Sequence, residues 1–82
     1  MELTSLMNVG PRIADDLQRL GIRSVEDLRR CQADDLYDRL CELTGMRQDP
    51  CVLDTFRSAV DQAKGKPARP WWEYSRERKA RA

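Results

Sequence analysis

The sequence contains no histidine, and this absence removes the side chain that most often serves as a general base near neutral pH. A base would have to be Asp, Glu, Lys or a Cys thiolate. The adjacent carboxylates Asp15-Asp16 and Asp34-Asp35 do not share a site, because neighbouring side chains on a helix diverge by about 100°. We therefore expect no enzyme activity.

Cysteine is scarce, and its spacing suggests no metal site. Cys31, Cys41 and Cys51 lie ten residues apart and form no C-x-x-C pair. This spacing matches no common zinc ligand set, so we predict neither a metal nor a cofactor. The simplest interpretation is three buried, reduced thiols that pack as small hydrophobic groups. The alternative is a redox pair between Cys41 and Cys51, which requires their Cα atoms to lie within about 7 Å.

Long apolar runs and strand-like alternation are also missing. No stretch approaches the roughly eighteen apolar residues that a membrane span requires, and Met1-Glu2-Leu3 does not begin a signal peptide. The composition, 35% charged and 40% apolar residues, suits a small soluble helical domain. We therefore expect an all-α, cytoplasmic protein with no membrane partner.

Charge is distributed unevenly along the chain. Residues 66–82 carry six cations and two anions, a net charge of +4, whereas residues 1–65 carry nine cations and twelve anions, a net charge of −3. A basic tail on a mildly acidic body is typical of chains that bind polyanions, although such tails are often only solvated.

Helical periodicity predicts a compact fold of five short helices. The first is an apolar face from Leu3 to Met7. The second spans residues 11–20, with Pro11 at its first position and Gly21 as a left-handed C-terminal cap.

Three further helices are predicted to begin after Ser24, near residue 33 and after Asp49. The stripe of the fourth helix predicts inward positions at Leu36, Tyr37, Leu40, Cys41 and Leu43. The stripe of the fifth predicts burial of Val52, Leu53, Phe56, Ala59, Val60 and Ala63.

The C-terminal segment is distinct from this predicted domain of residues 1–65. Residues 66–82 are predicted to be a proline-containing linker followed by a basic aromatic tail with one or two helical turns. The tail carries five candidate site residues: Trp71, Trp72, Arg76, Arg78 and Lys79. Three interpretations stay open: rings docked on the domain, rings stacked on unpaired bases, or rings that anchor a protein partner or a homodimer.

A tight turn joins the first two predicted helices. Only Asn8-Val9-Gly10 lies between Met7 and Pro11, and such a turn needs residues that tolerate unusual φ and ψ. We expect Gly10 to supply that freedom, with help from Asn8, while Val9 plugs the turn into the core.

The start of the second helix has the properties of an anion site. The N–H groups of Gly10, Arg12 and Ile13 precede any intrahelical acceptor, and the positive end of the helix dipole lies there.

The stretch LMNVGPRIADDLQRLGI resembles the helix-hairpin-helix motif, in which a hydrophobic-x-Gly-hydrophobic-Gly hairpin precedes a helix. In that family, the hairpin amides hold a DNA phosphate without reading bases. The resemblance implies these phosphate contacts: Asn8, Val9, Gly10, Arg12 and Ile13. Asn8 stands where the motif has its first glycine, and Asp15 and Asp16 place carboxylates within two turns of the site.

Together with LGIRSVEDLRR, LYDRLCELTGMRQDPCVLDTFRSAV and RPWWEYSRERK, this stretch makes the chain similar to small bacterial proteins of the pathogenicity-locus helix-hairpin-helix family. A more distant resemblance is to the C-terminal domain of competence regulators. These resemblances imply a SAM-like five-helix fold and weak, non-sequence-specific binding to the DNA backbone, single- or double-stranded. The alternative is a protein–protein interaction module in which the hairpin is structural.

Overall fold

A computed structural model of the chain is all-α and describes residues 1–81. A 3-10 turn, Leu3–Ser5, precedes five α-helices. They are α1 (Pro11–Arg19), α2 (Val25–Leu28), α3 (Ala33–Thr44), α4 (Pro50–Ala63) and α5 (Trp71–Arg81). Within residues 1–81, no helix is long and apolar enough to cross a bilayer.

Local caps set several helix boundaries. The Ser24 hydroxyl accepts the Asp27 N–H at 3.2 Å, and a carboxylate oxygen of Asp49 accepts the Cys51 N–H at 2.9 Å. Gly21 adopts φ 87°, the left-handed conformation that terminates α1. The predicted starts of α2 and α4 and the predicted end of α1 are confirmed.

Helix α4 is the central element, because it packs against α2, α3 and α5. The largest fully buried apolar side chains come from four helices: Leu17, Leu28, Leu36, Leu40 and Phe56. The predicted stripe of α4 is confirmed at Phe56, Ala59, Val60 and Ala63, whereas Val52 and Leu53 are only partly buried.

Two predictions about the apolar faces are wrong. The first predicted helix is only the 3-10 turn Leu3–Ser5, because Leu6 is extended (φ −81°, ψ 147°) and Met7 is exposed. Leu43 was predicted to face inward but is exposed, since it lies near the end of α3 beyond the last contacts of that helix with the core.

The C-terminal segment is more ordered than its sequence predicts. Instead of one or two turns, residues Trp71–Arg81 form an eleven-residue helix that packs along α4. The segment is therefore docked on the domain, but through Tyr74 and Ser75, and both tryptophan rings stay exposed.

Candidate nucleic-acid interface

The hairpin between Met7 and Pro11 is turned by Asn8 rather than by Gly10. Asn8 has φ 68° and is the only non-glycine residue with positive φ in the described part of the chain. Gly10 has φ −86° and ψ −176°, an extended conformation open to any residue. The expectation that Gly10 supplies the left-handed geometry is therefore wrong.

Helix α1 begins without a side-chain cap. Gly10 is its N-cap residue and Pro11 its first helical residue, and no side chain within residues 1–81 caps this end. The first main-chain bond of the helix runs from the Ala14 N–H to the Gly10 carbonyl at 2.9 Å. The N–H groups of Arg12 and Ile13 therefore precede the intrahelical ladder.

The space in front of Gly10 is open. A Cβ placed on this residue would meet no heavy atom of the protein within 4 Å. Arg12 is exposed beside it, whereas Ile13 is half-buried and Val9 is buried in the core. Of the five predicted contacts, Gly10 and Arg12 are thus accessible, Val9 and Ile13 anchor the turn, and Asn8 is half-buried.

The rear of the hairpin is held by Gln62 of α4. Its amide oxygen accepts the Met7 N–H at 2.8 Å, and its amide nitrogen donates to the Met7 carbonyl at 3.1 Å. The same nitrogen also donates to the Ser58 hydroxyl at 3.2 Å. Both polar groups of the Met7 backbone are therefore fixed by one side chain.

The hairpin also contacts the start of α5. The Trp71 N–H donates to the side-chain oxygen of Asn8 at 3.3 Å. This oxygen accepts a bond from the protein, so it is not the part of Asn8 that a phosphate would contact. The bond places the first residue of α5 directly beside the hairpin.

A polar stripe on α4 receives both the hairpin and α5. Its members have helical spacing i, i+4, i+7 and i+8: Asp54, Ser58, Asp61 and Gln62. Asp54 is fully buried, and its carboxylate accepts the Ser75 hydroxyl at 2.5 Å and the Arg78 guanidinium at 3.2 Å.

The middle of this α4 polar stripe binds the linker and Tyr74. The Ser58 hydroxyl donates to the Arg69 carbonyl, and the Tyr74 hydroxyl donates to Asp61, both at 2.7 Å. Burial, followed by the bond to Asp61, raises the pKa of Tyr74 to about 12. Tyr74 and Ser75, rather than the tryptophans, are thus the buried face of α5.

A neighbouring side of α5, about 120° around the helix from that buried face, carries a basic aromatic stripe, which we define as Trp72, Arg76 and Lys79. These residues are spaced i, i+4 and i+7, so they share one helix face. The Arg76 guanidinium lies over the Trp72 ring, 5.2 Å from its centroid. Trp72 is 49% exposed, whereas Trp71, on the packed side, is 37% exposed.

Arg78 does not belong with the exposed cations of the tail. Its guanidinium is bound to the buried carboxylate of Asp54, which raises the pKa of Arg78. The sequence analysis predicted Arg78 to be a site residue together with Arg76 and Lys79, because all three are basic residues of the tail. On the helix its side chain points about 160° away from Arg76 and about 100° away from Lys79, toward Asp54 of α4.

The acidic residues of α5 are neutralised by the linker. Arg69 contacts Glu73 at 3.1 Å and Glu77 at 2.6 Å. Neither Arg76 nor Lys79 forms an ion pair with another residue of the described chain. The basic aromatic stripe is therefore locally positive.

The carboxylates of α1 are partly compensated. Asp15 lies 3.7 Å from Arg19, one turn further from the hairpin. Burial raises the pKa of Asp16, and the nearby Arg12 and Arg19 guanidinium groups oppose that rise. The repulsion that these two residues exert on a phosphate is thus reduced and remains a reason for weak binding.

The three cysteines are free thiols and half-buried. Burial raises the pKa of Cys31 and of Cys51, which lowers the fraction of reactive thiolate at neutral pH. Cys41 lies in the last turn of α3, and its sulfur accepts the Gln48 N–H of the following loop at 3.4 Å.

An open cleft of about 720 Å³ lies between α3, α4 and α5. Two of its carboxylates are engaged within the protein: Asp34 accepts a bond from Arg57 at 3.0 Å, and Asp61 accepts the Tyr74 hydroxyl. Across residues 1–81, no three His, Cys, Asp or Glu side chains are grouped so as to hold a metal ion.

Sequence reasoning missed the residues that hold this interface together, above all Asp54, Ser58 and Gln62. A signal was present, because a polar stripe at helical spacing runs along α4 beside its apolar stripe. Tyr74, Ser75 and Arg78 form a matching face at spacing i, i+1 and i+4. Taken alone, a polar stripe on one helix indicates a solvated face. The complementarity between α4 and α5 is visible only when the polar faces of both helices are compared.

Comparison with known proteins gives two matches. Residues 1–80 match the family model Cdd1, described as "Pathogenicity locus". Over 78 residues the chain is 51% identical to the mitomycin resistance protein McrB of Streptomyces lavendulae, an alignment that covers 95% of this chain and 74% of that protein. No solved structure matches the chain significantly.

Proposed function

The chain belongs to the pathogenicity-locus family, and for this member we propose weak, sequence-independent binding to DNA through one phosphate held at the hairpin. The donors are the first-turn amides of α1, with Arg12 as the adjacent cation. The proposal is for a binding role, not a catalytic one, in the cytoplasm.

The observation that carries the proposal is the environment of Gly10. Its backbone is extended, and its front is open, so the fold itself does not require a glycine there. A residue without a side chain at a helix N-cap allows a ligand to approach the main chain closely. A phosphate oxygen at that position would meet the Arg12 and Ile13 amides and the positive end of the helix dipole.

Rigidity of the hairpin supports the same function. Gln62 fixes Met7 from one side, and the bond between Asn8 and Trp71 fixes the next residue from the other. Because the turn is already held in place, binding would cost little conformational entropy.

The charge distribution limits the expected strength. Arg12 offers one cation, and Asp15 and Asp16 lie on the same short helix. One phosphate contact gives a weak, salt-dependent interaction rather than tight recognition.

The relative's name adds a biological expectation. It is a mitomycin resistance protein, so we include a contribution to mitomycin resistance in the proposal for this chain. A chain that binds DNA and a chain that binds the drug would both fit that name. Mitomycin is therefore a necessary second ligand in the binding test.

The direct test is a titration of a fluorescent duplex with the full chain at 50 and 200 mM salt. With one phosphate contact, we expect affinity to fall about 3- to 4-fold across that range. Arg12→Ala should weaken binding to all sequences equally and reduce the salt slope by about 1. Arg30→Ala, which removes an exposed cation near the end of α2, is the matched control and should leave the slope unchanged.

The proposal fails if duplex binding is undetectable at 50 mM salt, or if binding is insensitive to salt. Saturable binding of mitomycin without DNA binding would instead favour a drug-binding role.

A second candidate function is protein–protein interaction, and the exposure of Trp72 favours it. In that case the hairpin is only structural, and the ring anchors a partner or a second copy. Light scattering of the full chain and of the Trp72→Ala variant distinguishes this candidate from DNA binding. A dimer that is present in the full chain and lost in the variant supports protein–protein interaction.

A further inference from the structure

The basic aromatic stripe lies on an exposed face of α5, and Trp71, the residue before its first member, contacts the hairpin. We propose that Trp72, Arg76 and Lys79 bind a single-stranded segment of DNA, with a base stacked on Trp72 and phosphates at the two cations. This inference rests on the proposed function, since it extends the strand held at the hairpin onto α5.

The aromatic ring is suited to stacking. Trp72 keeps 49% of its surface exposed, although large apolar side chains usually bury more than that. The Arg76 guanidinium covers one side of the ring and orients it. An unpaired base would stack on the accessible part of the ring, whereas bases inside a duplex are already stacked.

The charges favour a polyanion at this face. Arg76 and Lys79 have no ion-pair partner in residues 1–81, while Arg69 binds both acidic residues of α5 on another side of the helix. From Trp72 to Lys79 the helix rises about 10 Å, so the ring and both cations lie along one stretch of the helix surface.

The position of α5 favours one continuous strand. The bond from the Trp71 N–H to Asn8 is 3.3 Å long, so the residue before Trp72 touches the hairpin. A strand with one phosphate at Gly10 would therefore reach Trp72 with its next nucleotides. An acidic protein segment would match the charges but would have no base to stack on the ring.

The experiment compares a labelled twelve-nucleotide oligo(dT) with a twelve-base-pair duplex, using polarisation and the full-length chain. Trp72→Ala should weaken oligo(dT) binding about 5- to 100-fold and duplex binding less than 2-fold. Trp72→Phe should restore part of the loss. The double variant Arg76→Gln/Lys79→Gln should reduce the oligo(dT) salt slope by about 1.4. Arg30→Gln/Arg47→Gln removes two exposed cations elsewhere and should leave that slope unchanged.

The outcomes separate this inference from the proposed function. If Gly10→Ala weakens both ligands and Trp72→Ala weakens neither, the inference is overturned and the hairpin function stands. If Trp72→Ala weakens oligo(dT) and Gly10→Ala has no effect, the stripe is supported and the hairpin function fails. If oligo(dT) does not bind and Trp72→Ala instead abolishes self-association, the stripe is a protein interface and the inference is overturned.

Discussion

Asn8 and Trp71 lie 63 positions apart in the chain, and the side-chain oxygen of Asn8 accepts the Trp71 N–H. One residue thus performs two tasks. Its left-handed backbone turns the hairpin, and its side chain satisfies an amide at the start of α5. The hairpin and the C-terminal helix are consequently parts of one structure.

Two substitutions separate these tasks of Asn8. Asn8→Gly keeps the positive φ and removes the bond to Trp71, so we expect a loss of about 0.5–1.5 kcal/mol. Asn8→Ala also imposes an unfavourable φ and should cost about 1–2 kcal/mol more. Urea unfolding followed by circular dichroism measures both. Equal stabilities of the two variants would show that the left-handed turn contributes nothing.

The buried contact between Asp54 and Arg78 should be strongly coupled. Asp54 is fully buried, so removal of Arg78 leaves a carboxylate with only the Ser75 hydroxyl to compensate it. We expect a double-mutant cycle with Asp54→Ala and Arg78→Ala to give at least about 1.5 kcal/mol of coupling.

The exposed pair of Asp34 and Arg57, with a contact of 3.0 Å, is the control for that cycle. The Asp34 side chain is 71% exposed, and its cycle should give less than about 1 kcal/mol. Similar coupling in both cycles would mean that burial of Asp54 does not strengthen the contact.

Stability should fall at alkaline pH because of Tyr74. Its pKa is about 12 in the folded chain and about 10 when unfolded, so folding favours the protonated hydroxyl. The stabilisation is complete below pH 10 and is lost as pH rises toward 12, by on the order of 2 kcal/mol.

The Tyr74→Phe variant tests this assignment. Its free energy of unfolding should decline less steeply between pH 10 and pH 12 than that of the original chain. Some decline remains, since burial also raises the pKa of Tyr37. An identical decline in the variant would refute the assignment.

Gly10 and Gly21 should respond differently to alanine. At Gly10 the backbone is extended and the front is open, so Gly10→Ala should change stability by less than about 1 kcal/mol. The added methyl group should nonetheless weaken DNA binding several-fold, because it occupies the path of the phosphate. Gly21 has φ 87°, so Gly21→Ala should cost about 1–2 kcal/mol without a specific effect on binding. Thermal unfolding and the duplex titration measure both effects, and undiminished DNA binding by Gly10→Ala would contradict the hairpin site.

The parts of the fold that were predictable depend on local chemistry. Ser24, Asp49 and Gly21 mark helix ends because their bonds and φ angles involve residues only a few positions away. The apolar stripe of α4 was visible for the same reason. The all-α class followed from these signals, whereas the family came from the resemblance of the hairpin and of three later stretches to a known family.

The remainder depends on contacts between distant segments. The apolar residues from Leu3 to Met7 have helical spacing, but the backbone is extended at Leu6, where the chain enters the hairpin. Arg78 resembles any tail cation until Asp54 is placed opposite it, 24 positions earlier in the chain. The α4 polar stripe looked solvated because its partners lie in the hairpin and in α5.

The α4 polar stripe also has a consequence for the order of events during synthesis. Residues 7–10 are synthesised before their anchors, Gln62 and the Trp71 amide, which follow the residues they hold by 55 and 63 positions. The hairpin therefore cannot complete these contacts until α4 and the start of α5 have been made. A nascent chain that stops before α4 would have a hairpin that neither anchor holds.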